Sequence, residues 1–385
     1  MWALFDRVKD VGHPNEEMLS VYRAHGVIKK ESRDDNFNKT AENRNIYQLV
    51  DDGWLIVNRM KAWQGSVGIS PYKGIVSGHY ICFRPKHGED PRFLNWLLRS
   101  DVYATEYSRM SRGVRPNQIE IDNDELHGLR ITLPPLDDQH RIASFLENET
   151  AHIDRLMNDQ LRMLDLLEER ANSRIMTIIG ESLIVSEQGT PLVPLRRAIK
   201  KLSRAVLPSD KIITAFRDGQ VTARSIRRNE GYTLPSSSEP QGQGVETGDI
   251  VIHGLDGFAG AIGDSEAAGN CTPVYHVCIP VDDGNSAFYG RMLRLLALGD
   301  YLALFGGSAR ERAVDFRNWK LLGSAPIPLV KPELQHEIGN SIAKIRPLRE
   351  EVRRFNILLA ERRQALITAA VTGQIDVTTA RGGVT

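Results

Sequence analysis

Cysteine is scarce in this sequence. Three residues, Cys82, Cys271 and Cys278, occur in 385, an odd number without metal-ligand spacing, as expected of a chain kept in a reducing cytoplasm. Long apolar runs are missing: no stretch reaches 18 residues, so no membrane-spanning helix and no membrane partner are expected. The opening MWALFDRVKD places charges where a secretory signal needs its apolar centre. Net charge is absent as well, since 49 Lys and Arg balance 49 Asp and Glu, which argues mildly against a uniformly basic nucleic-acid binder.

Catalytic motifs are also lacking. There is no G-x-x-x-x-G-K-[ST] sequence, so no P-loop ATPase is indicated. Gly242-Gln243-Gly244 lacks the third glycine and the following helix of a dinucleotide fingerprint, and reads as a turn. No Asn- or Asp-Pro-Pro-aromatic motif of the amino-methyltransferase kind occurs. Asp137, Asp138 and His140 suggest a nuclease at first sight, but they stand at a helix start, where acids are favoured by the dipole and as caps. An intrinsic methyltransferase or nuclease needs a motif that is not found. A non-catalytic chain is expected, with no metal and no cofactor of its own.

What is present is ordinary in bulk and unusual in arrangement. The apolar fraction of 41% suffices for real cores, and the length suggests two or three domains at about 150 residues each. Between Arg196 and Arg228 there are ten Lys or Arg and two acids, whereas Gly231 to Gly290 holds eight acids and no Lys or Arg. Such segregation either puts positive potential on one face of a neutral chain or makes a solvated basic surface.

The chain is also written twice. GWLIVNRMKAWQGSVGI from Gly53 aligns with GDIVIHGLDGFAGAIGD from Gly248 at a constant shift of 195. That shift pairs Gly65 with Gly260, Gly68 with Gly263, Gly74 with Gly269, Trp63 with Phe258, Tyr80 with Tyr275, Pro85 with Pro280 and Phe93 with Phe288. One residue later in register, Gln139-His140 falls on Gln335-His336. Each copy has short β-like runs punctuated by glycine (54–57 and 79–83; 250–253 and 274–279). A helical stretch follows (91–107; 287–305), then a proline-bearing connector, LRITLPPLDDQ or SAPIPLVKPELQ. Trp63, matched by Phe258, is expected in a core.

After each connector the apolar spacing predicts a long helix. Residues 139–179 carry Ile142, Leu146, Ile153, Leu156, Met157, Met163, Leu164, Leu167, Ile175 and Ile178 without an interrupting proline or glycine. The second copy carries Ile338, Ile342, Ile345, Leu348, Val352, Phe355, Leu359 and Leu366, with Pro347 among them. Two antiparallel helices packed together would bring Gln160 and Asn356, at matching midpoints, close enough to set register; the alternative is that both face solvent. The expected fold class is mixed α/β (α+β). Two globular heads with distorted β-sheets, related by the repeat, are separated by two long antiparallel helices forming a coiled-coil spacer.

The segments RMKAWQGSVGIS…GIVSGHYICFRP, LPPLDDQHRIASFLENETAHIDRL and LLAERRQALITAAVTGQIDV resemble the specificity subunits of Type I restriction–modification systems. The resemblance covers nearly the whole chain except its last eight or so residues. The second connector departs from the pattern, with Pro332-Glu333-Leu334 in place of the usual order. The resemblance implies target-recognition domains over 1–134 and 182–328, and conserved spacer helices over 135–181 and 329–385 with the C-terminal tail. It implies double-stranded DNA, two methyltransferase subunits and restriction/translocase subunits as partners. S-adenosylmethionine is then expected in the methyltransferase subunit rather than in this chain. A purely structural coiled-coil scaffold is the competing reading.

Major-groove readout favours Arg and Lys for guanine and Asn and Gln for adenine. Other basic residues supply phosphate contacts. In the first half Asn58, Arg59, Lys61 and Gln64 concentrate such groups after a strand, and Arg112, Arg115, Asn117 and Gln118 form a second cluster. In the second half Gly254, Leu255, Asp256 and Ala259 replace Arg59, Met60, Lys61 and Gln64, so the candidates become Arg224, Arg227, Arg228, His253, Ser308, Arg310 and Arg312. Two differently decorated heads imply an asymmetric target.

Overall fold

The computed structural model describes residues 1–23, 25–32, 43–113, 119–184, 190–209, 211–227, 242–310 and 313–377. The chain divides into two units, Met1–Asn158 with Arg354–Thr385 and Asp159–Arg353. In the first, an antiparallel sheet runs Phe5–Val8, Tyr80–Pro85, Leu55–Asn58, Val67–Ile69. Alternation along its central strands decides what lies on each face. Leu55, Val57, Ile81 and Phe83 join a core with Phe93, Leu94 and Tyr107 from helices Pro91–Leu98 and Asp101–Arg109. Ile56 and Cys82, pointing the other way, pack with Leu19, Val21, Val27, Val50 and Val76 from two further antiparallel strand pairs. Each buried Ile, Leu or Phe contributes about 2 kcal/mol relative to its exposed state.

The second unit repeats the plan. Its sheet runs Ile199–Lys201, Tyr275–Pro280, Ile250–His253, Ile262–Asp264. Leu55 lies opposite Phe83 and Ile69, and Ile250 opposite Cys278 and Asp264, so the register of these inner pairs is displaced by 195 positions; Phe5 and Ile199, opposite Pro85 and Pro280, differ by 194. Ile250, Ile252 and Cys278 face Phe288 and Met292 of helix Ser286–Leu298, while Val251 and Val277 face Ile213, Val221 and Val245. The paired glycines have a steric reason. A Cβ at Gly74 would lie 2.5 Å from the Glu17 carbonyl, and one at Gly269 would lie 2.5 Å from the Lys211 carbonyl. Gly65 and Gly260 adopt φ of 83° and 93°, each closing a one-turn 3-10 helix.

Two long helices span Leu136–Ile184 and Pro332–Val371, the latter continuing through Pro347. In the first unit Ile142, Ala143 and Leu146 share a core with Ile367, Ala370 and Val371, and Arg363 Nε lies 3.1 Å from Asp154 Oδ1. In the second unit Arg174 pairs with Glu337 at 2.8 Å, and Glu168 pairs with Arg349. The helices are antiparallel within each unit. The buried stripe is narrower than the apolar spacing suggests: Leu156, Met163 and Phe355 are exposed. Trp63 is half-buried rather than in the core, its indole N–H donating to the Met60 carbonyl at 3.0 Å. Gln160 belongs to the second unit and Asn356 to the first; each has a buried side-chain oxygen without a hydrogen-bond partner. No helix among the described residues is long and apolar enough to cross a membrane.

Candidate nucleic-acid interface

The central strand of each sheet ends in a residue that builds the next turn. Asn58 Oδ1 accepts from the backbone N–H of Met60 at 3.1 Å and of Lys61 at 3.2 Å. His253, 195 positions on, uses Nδ1 in the same way, accepting from Leu255 and Asp256, both at 3.0 Å. Burial pushes the His253 imidazole below its ordinary value, in keeping with an unprotonated, accepting Nδ1. These two acceptors are engaged by the fold. Asn58 cannot at the same time form the paired adenine contact, which needs its oxygen as well as its nitrogen. Beyond the turn Lys61 and Gln64 are exposed and Arg59 is half-buried. In the second unit Leu255 is exposed, and Asp256 is paired with Arg217 at 2.9 Å.

The second polar cluster is brought beside the first. Ser111–Arg112 pairs with Glu120–Ile121, and the Ile121 N–H donates to the Arg59 carbonyl at 3.0 Å. Gly307–Arg310 pairs with Ala313–Asp315, and the Phe316 N–H donates to the Gly254 carbonyl at 2.7 Å. The Arg112 cluster and the Ser308–Arg310 cluster are therefore one repeated hairpin, tied at its base to the loop after the central strand. Arg112 is exposed and paired with Glu125. Ser308 stands opposite Val314, and Arg310 opposite Ala313. Arg115, Asn117, Gln118, Arg228 and Arg312 lie outside the described residues.

Arg224 and Arg227 follow a further hairpin, Ile213–Ala215 with Val221–Ala223. Arg224 Nε donates to Thr214 Oγ1 at 3.3 Å. Arg227 is held by Asp218 at 2.7 Å and lies 4.3 Å from the centre of the Phe216 ring. The Arg217–Asp256 pair links the turn of this hairpin to the 253–260 loop. Among the described residues, no group of three or more His, Cys, Asp or Glu is placed to hold a metal ion.

Residues 20–164 match the family model described as Type I restriction modification DNA specificity domain. That stretch is similar to a Type I DNA specificity domain. The fold agrees along both halves. A chain from a solved type I R-M system, studied for complex assembly and conformational transition, superposes with a TM-score of 0.62 at 15% identity, over 96% of this chain and 95% of that one. The HsdS subunit from Thermoanaerobacter tengcongensis gives 0.51 at 17% identity, over 96% and 94%. No curated protein matches. In motif and fold the chain resembles Type I specificity subunits, and DNA sequence recognition is the function that goes with that domain.

In each unit a helix cap is locked to the start of a long helix by a residue whose role was not evident from the sequence. Gln139 is fully buried; its Oε1 accepts from the Asp90 N–H at 3.1 Å and its Nε2 donates to the Pro134 carbonyl at 2.9 Å. Gln335 does the same with the Asn285 N–H at 3.1 Å and the Val330 carbonyl at 2.7 Å. Asp90 and Asn285 are the N-caps of Pro91–Leu98 and Ser286–Leu298. Burial alone would raise the Asp90 carboxyl, but Arg92 and the capped N–H groups outweigh it and hold it below the ordinary range. The neighbouring histidines lie beside the same caps: His140 Nε2 is 3.7 Å from Asp90, and His336 Nδ1 is 3.4 Å from Asn285 Nδ2. Asp137 and Asp138 occupy the first helical turn. The signal that could have revealed Gln139 and Gln335 was their coincidence in the repeat.

Proposed function

We propose that this chain is the non-catalytic DNA-reading subunit of a Type I restriction–modification assembly. Residues 1–134 and 182–328 would be its two target-recognition domains, each reading one half-site of a gapped, asymmetric sequence. One observation carries this reading: the same turn, built by Asn58 or His253, presents Lys61 and Gln64 in one unit but Asp256 and Ala259 in the other. A scaffold has no need of two differently decorated copies.

In this reading the loop after the central strand and the adjoining hairpin face DNA in each head. Lys61, Gln64 and Arg112 contribute in the first, and Arg224, Arg227, Arg310 and Arg312 in the second. Basic groups on phosphates supply affinity, while paired contacts to base edges supply specificity. The helical segments 135–181 and 329–385 act as a ruler, with Gln160 and Asn356 setting its register. Two methyltransferase subunits, carrying S-adenosylmethionine, and restriction/translocase subunits assemble on it.

The test is a genome-wide map of methylated adenines with and without the gene, in cells that hold the partner subunits. Loss of one gapped, asymmetric motif is expected. An unchanged map, with binding to duplex DNA insensitive to salt, would leave a scaffold as the function.

A further inference from the structure

A cavity of about 600 Å³ opens in the first unit, lined by residues that include Arg23, Trp96, Arg99, Asp154, Ala360 and Arg363. Arg99 follows helix Pro91–Leu98 and donates from Nη2 to the Arg23 carbonyl at 2.9 Å. Its buried Nε has no hydrogen-bond partner, and among the described residues it forms no ion pair with a carboxylate. Arg363 lies 3.1 Å from Asp154 and 5.9 Å from the centre of the Trp96 ring. Three guanidinium groups thus line the cavity with one lining carboxylate, Asp154; Arg23 lies 3.9 Å from Asp101 outside the lining, which leaves Arg99 without a carboxylate. Burial, and then the like charge of Arg363, pushes Arg99 down to about 10. A desolvated cation without a counter-ion is costly.

The second unit places a carboxylate near the corresponding group, although Nε of that arginine is likewise buried without a hydrogen-bond partner and burial lowers its pKa. Arg294 takes the place of Arg99, and its Nη2 donates to the Arg217 carbonyl at 3.3 Å. Arg291 takes the place of Trp96. Aligning LLEERANSRI (166–175) with LLAERRQALI (358–367) sets Glu168 at the position of Ala360. Ile175 and Ile367, the last pair in that alignment, are both buried in the cores of their units. Glu168 pairs with Arg349, lies 3.9 Å from Arg291 and favours the charged form of Arg294. One unit carries a carboxylate where the other carries alanine and a cavity.

We propose that this cavity binds a phosphate-type oxyanion, seated at Ala360 between Arg99 and Arg363. The volume far exceeds what a single carboxylate fills, guanidinium forks match phosphate oxygens in pairs, and Trp96 adds a flat apolar wall. The phosphate belongs either to a free ion or nucleotide, or to a DNA backbone; the second source rests on the DNA-reading proposal above.

The experiment is titration calorimetry of the full chain with inorganic phosphate at low ionic strength. Wild type should bind one phosphate per chain. Ala360→Glu, which installs the second unit's carboxylate, should weaken binding by about tenfold or more, the scale of one charge-assisted hydrogen bond, and raise Tm. Ala360→Gln, of equal size without charge, should not raise Tm. Should Ala360→Glu fail to fold, Arg363→Gln carries the same test and should also lose phosphate. If free phosphate does not bind, but Ala360→Glu lowers the salt slope of duplex binding by about one relative to Ala360→Gln, the ligand is a backbone phosphate. If neither change is seen, the proposal fails, whatever the methylation map shows. It fails too if poly-glutamate binds in an Ala360-dependent way while phosphate and DNA do not, which would assign the cavity to an acidic protein segment.

Discussion

In the first unit Asn58 Oδ1 builds the turn that presents Lys61 and Gln64; in the second His253 Nδ1 builds the same turn, and Asp256 and Ala259 stand in those places. Around these positions the two units keep the same hydrogen bonds. Gln48 and Gln243 each donate to the carbonyl of a tyrosine, Tyr80 or Tyr275, at 2.8 Å. Arg99 and Arg294 each reach the carbonyl of a hairpin arginine. The difference teaches where variation is tolerated. Buried polar groups must keep their partners or lose stability, whereas exposed side chains on a held turn can change at little cost to the fold and so change what is bound.

The comparison breaks most severely at its shared supports. Gln139→Leu and Gln335→Leu each strand a buried N–H and a buried carbonyl, and each should destabilise its own unit by about 3 kcal/mol. Unfolding monitored by hydrogen exchange, unit by unit, would show equal losses if the two glutamines are equivalent. Next in size is the decoration itself. Lys61→Ala with Gln64→Ala should cost about 1–3 kcal/mol of binding and relax only one half-site. A selection on randomised duplexes that relaxed both half-sites would show that the heads do not read separately.

A smaller effect separates the two turn-builders by pH. Burial holds folded His253 below 6.5, helped by Arg217 and opposed by Asp256. The unfolded chain therefore takes up the proton first. The stability from neutral His253 is fully present above about 6.5 and is lost as pH falls through the folded value. Amides of Leu255 and Asp256 should exchange faster on acidification while those of Met60 and Lys61 do not, and His253→Asn should abolish the difference. Smallest is the exposed Arg112–Glu125 pair: Glu125→Gln should shift denaturant stability by less than about 1 kcal/mol.

Much of this was readable in advance. The glycines shared by the copies mark backbone positions where a Cβ does not fit or φ is positive, so the register of 195 survives at the inner strand pairs of the two sheets, while the outer first strand is displaced by 194. The long helices followed from apolar spacing. Less legible was the difference between a polar residue that binds and one that builds: Asn58 and His253 look like readers, yet their acceptors close turns. Likewise Leu156, Met163 and Phe355 fit the helical spacing and are exposed, because spacing gives the direction of a side chain and not the reach of its neighbour.

By itself the sequence determined the duplication, the alternation that fills both faces of each sheet, the helical segments and the unlike loops, since all of these are properties of neighbours along the chain. Only the tertiary structure decided that Gln139 joins a helix cap to a connector, that the Arg112 and Arg310 hairpins are one element, and that Arg99, Arg363 and Ala360 line one cavity. Each of those depends on partners tens to hundreds of residues away, and whether a buried polar group is satisfied is known only when its partner's position is.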